Sequence, residues 1–344
     1  MNSFALLGIR QMGMVKVPRP QVVNPADVLI KMARVGVCGS DIHYYTDGKI
    51  GSQVVEYSFT VGHEGSGIIE KVGENVTRMK PGDRVAIDPA MPCRECDQCK
   101  SGRFHTCRNL KFLGCPGQAE GCLSEYIVMP ESSCFHIADS VSFDEAVISE
   151  PLAIGYYATK LAGMLKGKTV GILGFGPIGM SVLLSALAEG AERIYVTDKI
   201  SPRLTIANKC GSYWTGNPEE SDIVSDISLI EPLLLDYVFE CCGKQEAADQ
   251  SINILKPGGK LLMIGIPSFE RWSFSSDLIR RKEIVIQNVR RQNECTHKVL
   301  DLITDKTIDV TPMITHHFPF DQTDKAFEMV ASYRDGVMKA MIDF

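Results

Sequence analysis

The stretch Thr169-Val170-Gly171-Ile172-Leu173-Gly174-Phe175-Gly176-Pro177-Ile178-Gly179 decides how the chain is read. A compact apolar strand runs straight into Gly-x-Gly-x-x-Gly, and a helix-like run from Met180 to Glu189 follows. A second strand, Arg193 to Thr197, ends at Asp198. The glycine pattern alone is weak. With a strand before it, a helix after it and an acid about 20 residues beyond, it has the context in which a dinucleotide is bound. Gly174 allows the tight turn, Gly176 lets backbone approach a pyrophosphate, and Gly179 permits close helix–strand packing, while the helix N-terminus favours the anion. Asp198 would accept hydrogen bonds from the adenosine ribose hydroxyls and repel a 2′-phosphate, so NAD is expected over NADP, with Arg203 softening that preference. A glycine-rich turn without ligand is the plainer alternative, and the assembled parts speak against it.

Outward from this stretch the pattern divides. Downstream, a strand at Leu234–Glu240, a helix over 244–255, a turn at Pro257-Gly258-Gly259 and a strand from Lys260 to Gly265 alternate as in a parallel, doubly wound sheet. From about 288 the pattern becomes irregular, with a helix near Asp324–Ser332 and a closing strand at Val337–Phe344. Upstream, short apolar runs punctuated by Pro18, Pro20 and Pro25, the turn Pro81-Gly82-Asp83, and a strand over Gly121–Val128 suit an antiparallel or barrel-like unit.

Composition narrows the class. A chain of 344 residues is long enough for two cores. Its 44% hydrophobic and 23% charged residues are those of a soluble globular protein, and a net charge of -6 argues against a nucleic-acid or anionic-membrane partner. No apolar run reaches the roughly 18 to 20 residues of a membrane span, and the N-terminus lacks the parts of a signal peptide. In such a chain twelve cysteines point to metal ligands and reduced thiols, and so to the cytoplasm.

Two groups of residues have ligand chemistry. Cys93-x2-Cys96-x2-Cys99-x7-Cys107 sets four thiols in a polar loop, the pattern of a closed structural zinc site. An iron–sulfur cluster is the second reading and reduced free thiols the third. Cys115, Cys122, Cys134, Cys210, Cys241, Cys242 and Cys295 lack such spacing and read as core or surface thiols. The other group is Cys38-Gly39-Ser40-Asp41-Ile42-His43-Tyr44 with Gly62-His63-Glu64. One thiol, one imidazole and one carboxylate are ligands that zinc takes, and a hydroxyl beside an imidazole, Ser40 with His43, can carry a proton. Either residue type alone would more simply be a loop thiol or a satisfied histidine. Glu150, before Pro151, is equally a helix-start acid or a residue facing the metal.

These residues together resemble the zinc-dependent medium-chain alcohol and polyol dehydrogenases over essentially the full chain. The family's zinc motif stands here as Gly62-His63-Glu64, Gly67, Gly73 and Val76, and the four-cysteine lobe and dinucleotide fingerprint follow in the family's order. Cys38 to Tyr44, the loop Gly48-Lys49-Ile50-Gly51, and Glu150-Pro151 look most like the sorbitol and xylitol dehydrogenases. The resemblance implies an α/β chain with a GroES-like β-rich catalytic domain over 1–151 and 288–344, carrying a structural zinc lobe at 93–107, and a Rossmann NAD-binding domain over 152–287. It implies one catalytic and one structural zinc, the former held by Cys38, His63 and Glu64 with Glu150 beside it, either acid being able to touch the metal. It assigns Gly174, Gly176, Ile178, Gly179, Asp198, Arg203, Gly265 and Arg290 to the cofactor, and Tyr44 and Arg290 to the substrate, a plain packing tyrosine being an equal alternative for Tyr44. The reaction implied is hydride transfer from a secondary hydroxyl of a polyol to NAD, with zinc acidifying the hydroxyl, Ser40 and His43 carrying the proton outward, and Glu150 as a catalytic residue near the metal-bound water. A homo-oligomer, tetramer or dimer, is implied as well. Arg290-Arg291 stands where the family has an arginine followed by an aromatic residue; a second cation suits a carboxylate or phosphate, and a solvent-facing Arg291 is the simpler reading. The rival readings are a threonine-type amino-alcohol dehydrogenase and a non-catalytic NAD-binding protein.

Overall fold

The structure, a computed structural model, describes residues 1–344. The chain forms two compact units, one of Met1–Glu150, Thr296–Lys306 and Met313–Phe344, the other of Pro151–Cys295 and Thr307–Pro312. The return to the first unit falls at Cys295/Thr296 where 288 was expected, because Val285–Asn288 is a strand of the second unit's sheet and Val289 still donates to the Met263 carbonyl. No helix is long and apolar enough to cross a membrane.

The first unit is built on a seven-stranded sheet whose axis is the strand Asp27–Gly36. Val28, Ile30 and Met32 are buried at alternate positions, Leu29 is buried as well, and Val35 is buried beyond a register irregularity between Met32 and Arg34, as suits a strand inside the sheet. On one edge it pairs along its length with Glu64–Val72, which leads to Arg84–Ile87 and Cys134–His136. Its other edge is shared: Tyr126–Pro130 covers Asp27 to Lys31, and Lys339–Asp343 covers Arg34 to Gly36. Gly36 thereby faces Glu64 on one side and Met341 on the other. The expected strand Gly121–Val128 is regular only over Tyr126–Pro130. Gly121, Cys122 and Leu123 instead donate to the carbonyls of Thr60, Gly62 and Val61, fastening the segment that precedes Glu64.

The second unit is a six-stranded parallel sheet. Its order is Trp214–Gly216, Arg193–Thr197, Thr169–Leu173, Leu235–Glu240, Leu255–Met263, Val285–Asn288. The order reverses between Thr169–Leu173 and Leu235–Glu240, which is where a doubly wound sheet opens a crevice at its carboxyl ends. All of Thr169–Leu173 is buried, as a central strand covered on both faces must be.

The helix Phe143–Ala162 corrects one expectation. Glu150 does not start a helix; it lies in the middle of this one. The start is a capping box at Ser142-x-x-Glu145, in which the Glu145 N–H donates to Ser142 Oγ at 3.1 Å and the Ser142 N–H to Glu145 Oε2 at 2.8 Å. Pro151 sits inside the helix, where it removes an N–H donor.

Candidate metal and dinucleotide sites

Cys38 precedes the helix Gly39–Asp47, and His63 and Glu64 lie at the start of the strand Glu64–Val72. One ligand atom from each of Cys38, His63 and Glu64 lies within 4.8 Å of the others. Asp41, which sequence reasoning left without a role, organises the group. Its Oδ1 lies 3.2 Å from His63 Nδ1 and accepts from the Gly62 N–H at 3.2 Å, while Oδ2 accepts from the Cys38 N–H at 3.3 Å. Nδ1 is thus taken and Nε2 is left for a ligand role. Burial works against charging the His63 ring, but Asp41 and Cys38 outweigh it and hold the imidazole well above its ordinary pKa. A pocket whose field favours a proton on His63 equally favours a dication. The thiol, imidazole and carboxylate here therefore fit a zinc with one position left open.

Ser40 Oγ donates to Cys38 Sγ at 3.3 Å and lies 3.5 Å from His63 Nε2. His43 is partly exposed and pairs through Nδ1 with Asp47 at 3.2 Å. Glu150 is buried, and burial pushes its carboxyl up to about 7; His63 and Lys339 pull it down, and Glu64 and Asp88 push it further up. Lys339 is the second residue that sequence reasoning missed. Its ammonium donates to both oxygens of Glu64, at 2.7 and 2.6 Å. Burial works against its charge, but Glu64 and Cys38 outweigh it and raise its pKa. The signal for it was a lone lysine in the apolar run Val337-Met338-Lys339-Ala340-Met341-Ile342. Tyr44 is buried, with its hydroxyl 3.1 Å from Gln53 Oε1 and 3.8 Å from Cys115 Sγ.

Cys93, Cys96, Cys99 and Cys107 converge with all four sulfurs within 4.8 Å of one another. Cys96 and Cys107 sulfurs are 3.9 Å apart and those of Cys107 and Cys93 3.4 Å. Four thiolates at about 2.3 Å from one tetrahedral ion stand about 3.8 Å apart, so the group fits a single zinc and is too tight to surround a multi-iron cluster. Backbone N–H donors from Cys99 and Arg108 bring the Cys96 thiol down to about 6, and donors from Glu95 and Cys96 lower that of Cys93, whereas burial pushes Cys99 up to about 12. A third cluster, Asp144, His317 and Asp343, is filled by the Arg34 guanidinium, 3.2 Å from Asp144 and 3.1 Å from Asp343.

In the second unit Gly174 has φ +94, and a Cβ on Gly179 would stand 2.1 Å from the Gly174 carbonyl oxygen. A Cβ on Gly176 would meet nothing nearer than Arg203 Nη1 at 3.5 Å. Space is therefore left over the glycine turn where a pyrophosphate fits, with Pro177 and Ile178 opening the helix Pro177–Ala188. Asp198 accepts from the Phe175 N–H at 2.6 Å and from the Ile200 N–H at 2.8 Å, which locks its carboxylate at the strand end with lone pairs left for ribose hydroxyls. Gly265 follows the strand Leu255–Met263, its N–H donating to the Glu240 carbonyl at 3.0 Å, and Arg290 is exposed.

Comparison with known proteins agrees with both sheets. Residues 24–139 match the alcohol dehydrogenase GroES-like domain and residues 177–305 the zinc-binding dehydrogenase domain. The chain is 34% identical to a sorbitol dehydrogenase of Bacillus subtilis over 99% of its own length and 97% of that protein's. Among solved structures it matches an Escherichia coli alcohol dehydrogenase complexed with NADH (25% identity, TM-score 0.92, covering 100% of this chain and 99% of that one). It also matches galactitol-1-phosphate dehydrogenase of Escherichia coli (25% identity, TM-score 0.91, covering 100% of both chains). A GroES-like domain, a Rossmann domain and full-length identity of this order place the chain in the zinc-dependent medium-chain alcohol and polyol dehydrogenase family.

Proposed function

We propose that the protein oxidises a secondary hydroxyl of a polyol or sugar-derived alcohol to the ketone, with NAD as hydride acceptor. The observation that carries this reading is the convergence of Cys38, His63 and Glu64 beside the hydroxyl of Ser40. Zinc, when bound, supplies Lewis acidity toward the substrate hydroxyl, and the dinucleotide supplies the acceptor carbon. The remaining work belongs to the chain. Cys38, His63 and Glu64 hold the metal, and Glu150 stands by as a second buried carboxylate. Ser40 Oγ accepts the hydroxyl proton as it gives up its own, and His43, paired with Asp47 and open to water, carries the released proton outward. Asp41 keeps His63 in the tautomer that ligation needs.

Gly174, Gly176, Ile178 and Gly179 take the pyrophosphate, and Asp198 takes the adenosine ribose, which favours NAD over NADP. Arg203, Gly265 and Arg290 complete the cofactor contacts, and Tyr44 and Arg290 serve the substrate. The Cys93, Cys96, Cys99 and Cys107 zinc is structural. Four thiols converging as one metal site support a reducing compartment, the cytoplasm, and we expect a homo-oligomer, tetramer or dimer.

The test is purified protein of known metal content, followed by NADH absorbance against sugar alcohols, aldonates, polyol phosphates and threonine. Two zinc ions per chain with turnover of one polyol class is the expected result. Activity on threonine alone would keep the mechanism and overturn the substrate class. One zinc and no turnover would leave a dinucleotide-binding protein without catalysis.

A further inference from the structure

The ion pair between Lys339 and Glu64 is closed on every side. Lys339 is 1% exposed and Glu64 0%. The ammonium has three N–H bonds, and the chain provides three acceptors: Glu64 Oε1 at 2.7 Å, Glu64 Oε2 at 2.6 Å and the Val37 carbonyl at 3.2 Å. Gly36 walls the carboxylate from behind, since a Cβ there would stand 2.4 Å from Oε2. Glu64 therefore has a fixed place, and both of its oxygens are already engaged by a cation.

A carboxylate has about four acceptor positions, so Glu64 can still serve a metal, though on altered terms. Outer-shell carboxylates and carbonyls that accept from a metal ligand make it more basic. A cationic donor does the opposite: it draws electron density from the ligand, and at close range in a buried site its charge opposes that of a dication. Glu150 lies in the same field and is a second carboxylate of the right chemistry.

We propose that Lys339 is a positioning residue that weakens the hold of Glu64 on the metal and so makes Glu64 a replaceable ligand. The proposal deepens the function given above and rests on its assignment of Cys38, His63 and Glu64 as ligands. Removing the lysine charge should tighten zinc binding, which is the reverse of what loss of an outer-shell partner ordinarily does.

The experiment follows the rate at which a chromophoric chelator strips zinc from loaded wild type, K339M, K339Q and K339R, with the four-cysteine zinc as the slow internal reference. Thermal unfolding of each variant checks that it folds. K339M and K339Q should lose the catalytic zinc more slowly, by about 10- to 100-fold, the usual scale of an outer-shell effect. K339R keeps the charge and should strip close to the wild-type rate. The visible spectrum of cobalt-substituted protein should shift in K339M and not in K339R. Unchanged or faster stripping in the neutral variants would overturn the proposal, as faster loss would make Lys339 a support for Glu64. If neither neutral variant folds, a K339R rate well away from wild type would overturn it. Failure of the underlying reading looks different: one zinc per chain in wild type, with a zinc content that C38S leaves unchanged.

Discussion

His63 presents Nδ1 to Asp41 Oδ1 across 3.2 Å, and Asp41 uses its remaining capacity on the backbone N–H groups of Gly62 and Cys38. One carboxylate thus positions two of the three ligands. Asp41→Asn removes the charge and puts an amide in its place. Zinc affinity at the Cys38–His63–Glu64 site should fall by about 10- to 100-fold, while the four-cysteine zinc is retained. Competition with a chelator, read against total metal per chain, measures this; equal affinity in the variant would show that backbone alone places the ring.

Gly36 is required by a close approach. A Cβ on it would lie 2.4 Å from Glu64 Oε2 and 2.8 Å from Val147 Cγ1. Gly36→Ala should cost about 1–3 kcal/mol, the range for overpacking a tight core, and should displace the Glu64 carboxylate. A lower thermal midpoint together with reduced zinc content is expected. A variant as stable and as zinc-replete as wild type would mean that the two strands separate freely at this point.

Asp236 should give the second unit an acid-sensitive stability. Its carboxylate accepts from the Thr169 N–H at 3.0 Å and the Thr169 hydroxyl at 3.1 Å, and pairs with Lys256 and Lys168. Burial alone would raise its pKa, but the Lys256 ammonium and the Thr169 donors outweigh burial and lower it. With the folded pKa below the unfolded one, this contribution is complete above about pH 4 and fades as pH falls through the folded value. Asp236→Asn should destabilise by about 1.5–3 kcal/mol near neutrality, the scale of hydrogen bonds to a charged group. Denaturant titrations should show the gap between variant and wild type narrowing as the pH falls below about 4; a gap that holds constant would mean the charge has no part in it.

The residues that the sequence disclosed were those whose chemistry is local. Gly174, Gly176 and Gly179 could be read from their spacing together with the adjoining strand, helix and Asp198, because a turn is built from neighbours, and the four cysteines from Cys93 to Cys107 from their spacing in one loop. Asp41 was in plain view between Ser40 and Ile42, but its partner His63 is brought to it only by the fold. Lys339 is 275 positions from Glu64, and no periodicity connects a closing strand to a zinc motif. Glu150 was ambiguous because Pro151 reads as a helix start, although the capping pair Ser142 and Glu145 was the better signal. Gly121 to Leu123 looked like strand because the segment is extended; its hydrogen bonds go to Thr60–Gly62 rather than into a regular ladder.

The shared edge of Asp27–Gly36 has a consequence for the newborn chain. Residues 34 to 36 are covered by Lys339–Asp343, which leaves the ribosome after the whole of the second unit. The second unit is continuous from Pro151 to Cys295 apart from Thr307–Pro312, so its parallel sheet can assemble while translation is still under way. The first unit must wait with its edge uncovered and Glu64 without its ammonium. Glu64 therefore reaches its final surroundings later than the second unit's sheet, and a product that stalls before Lys339 would carry a finished dinucleotide fold and an incomplete metal site.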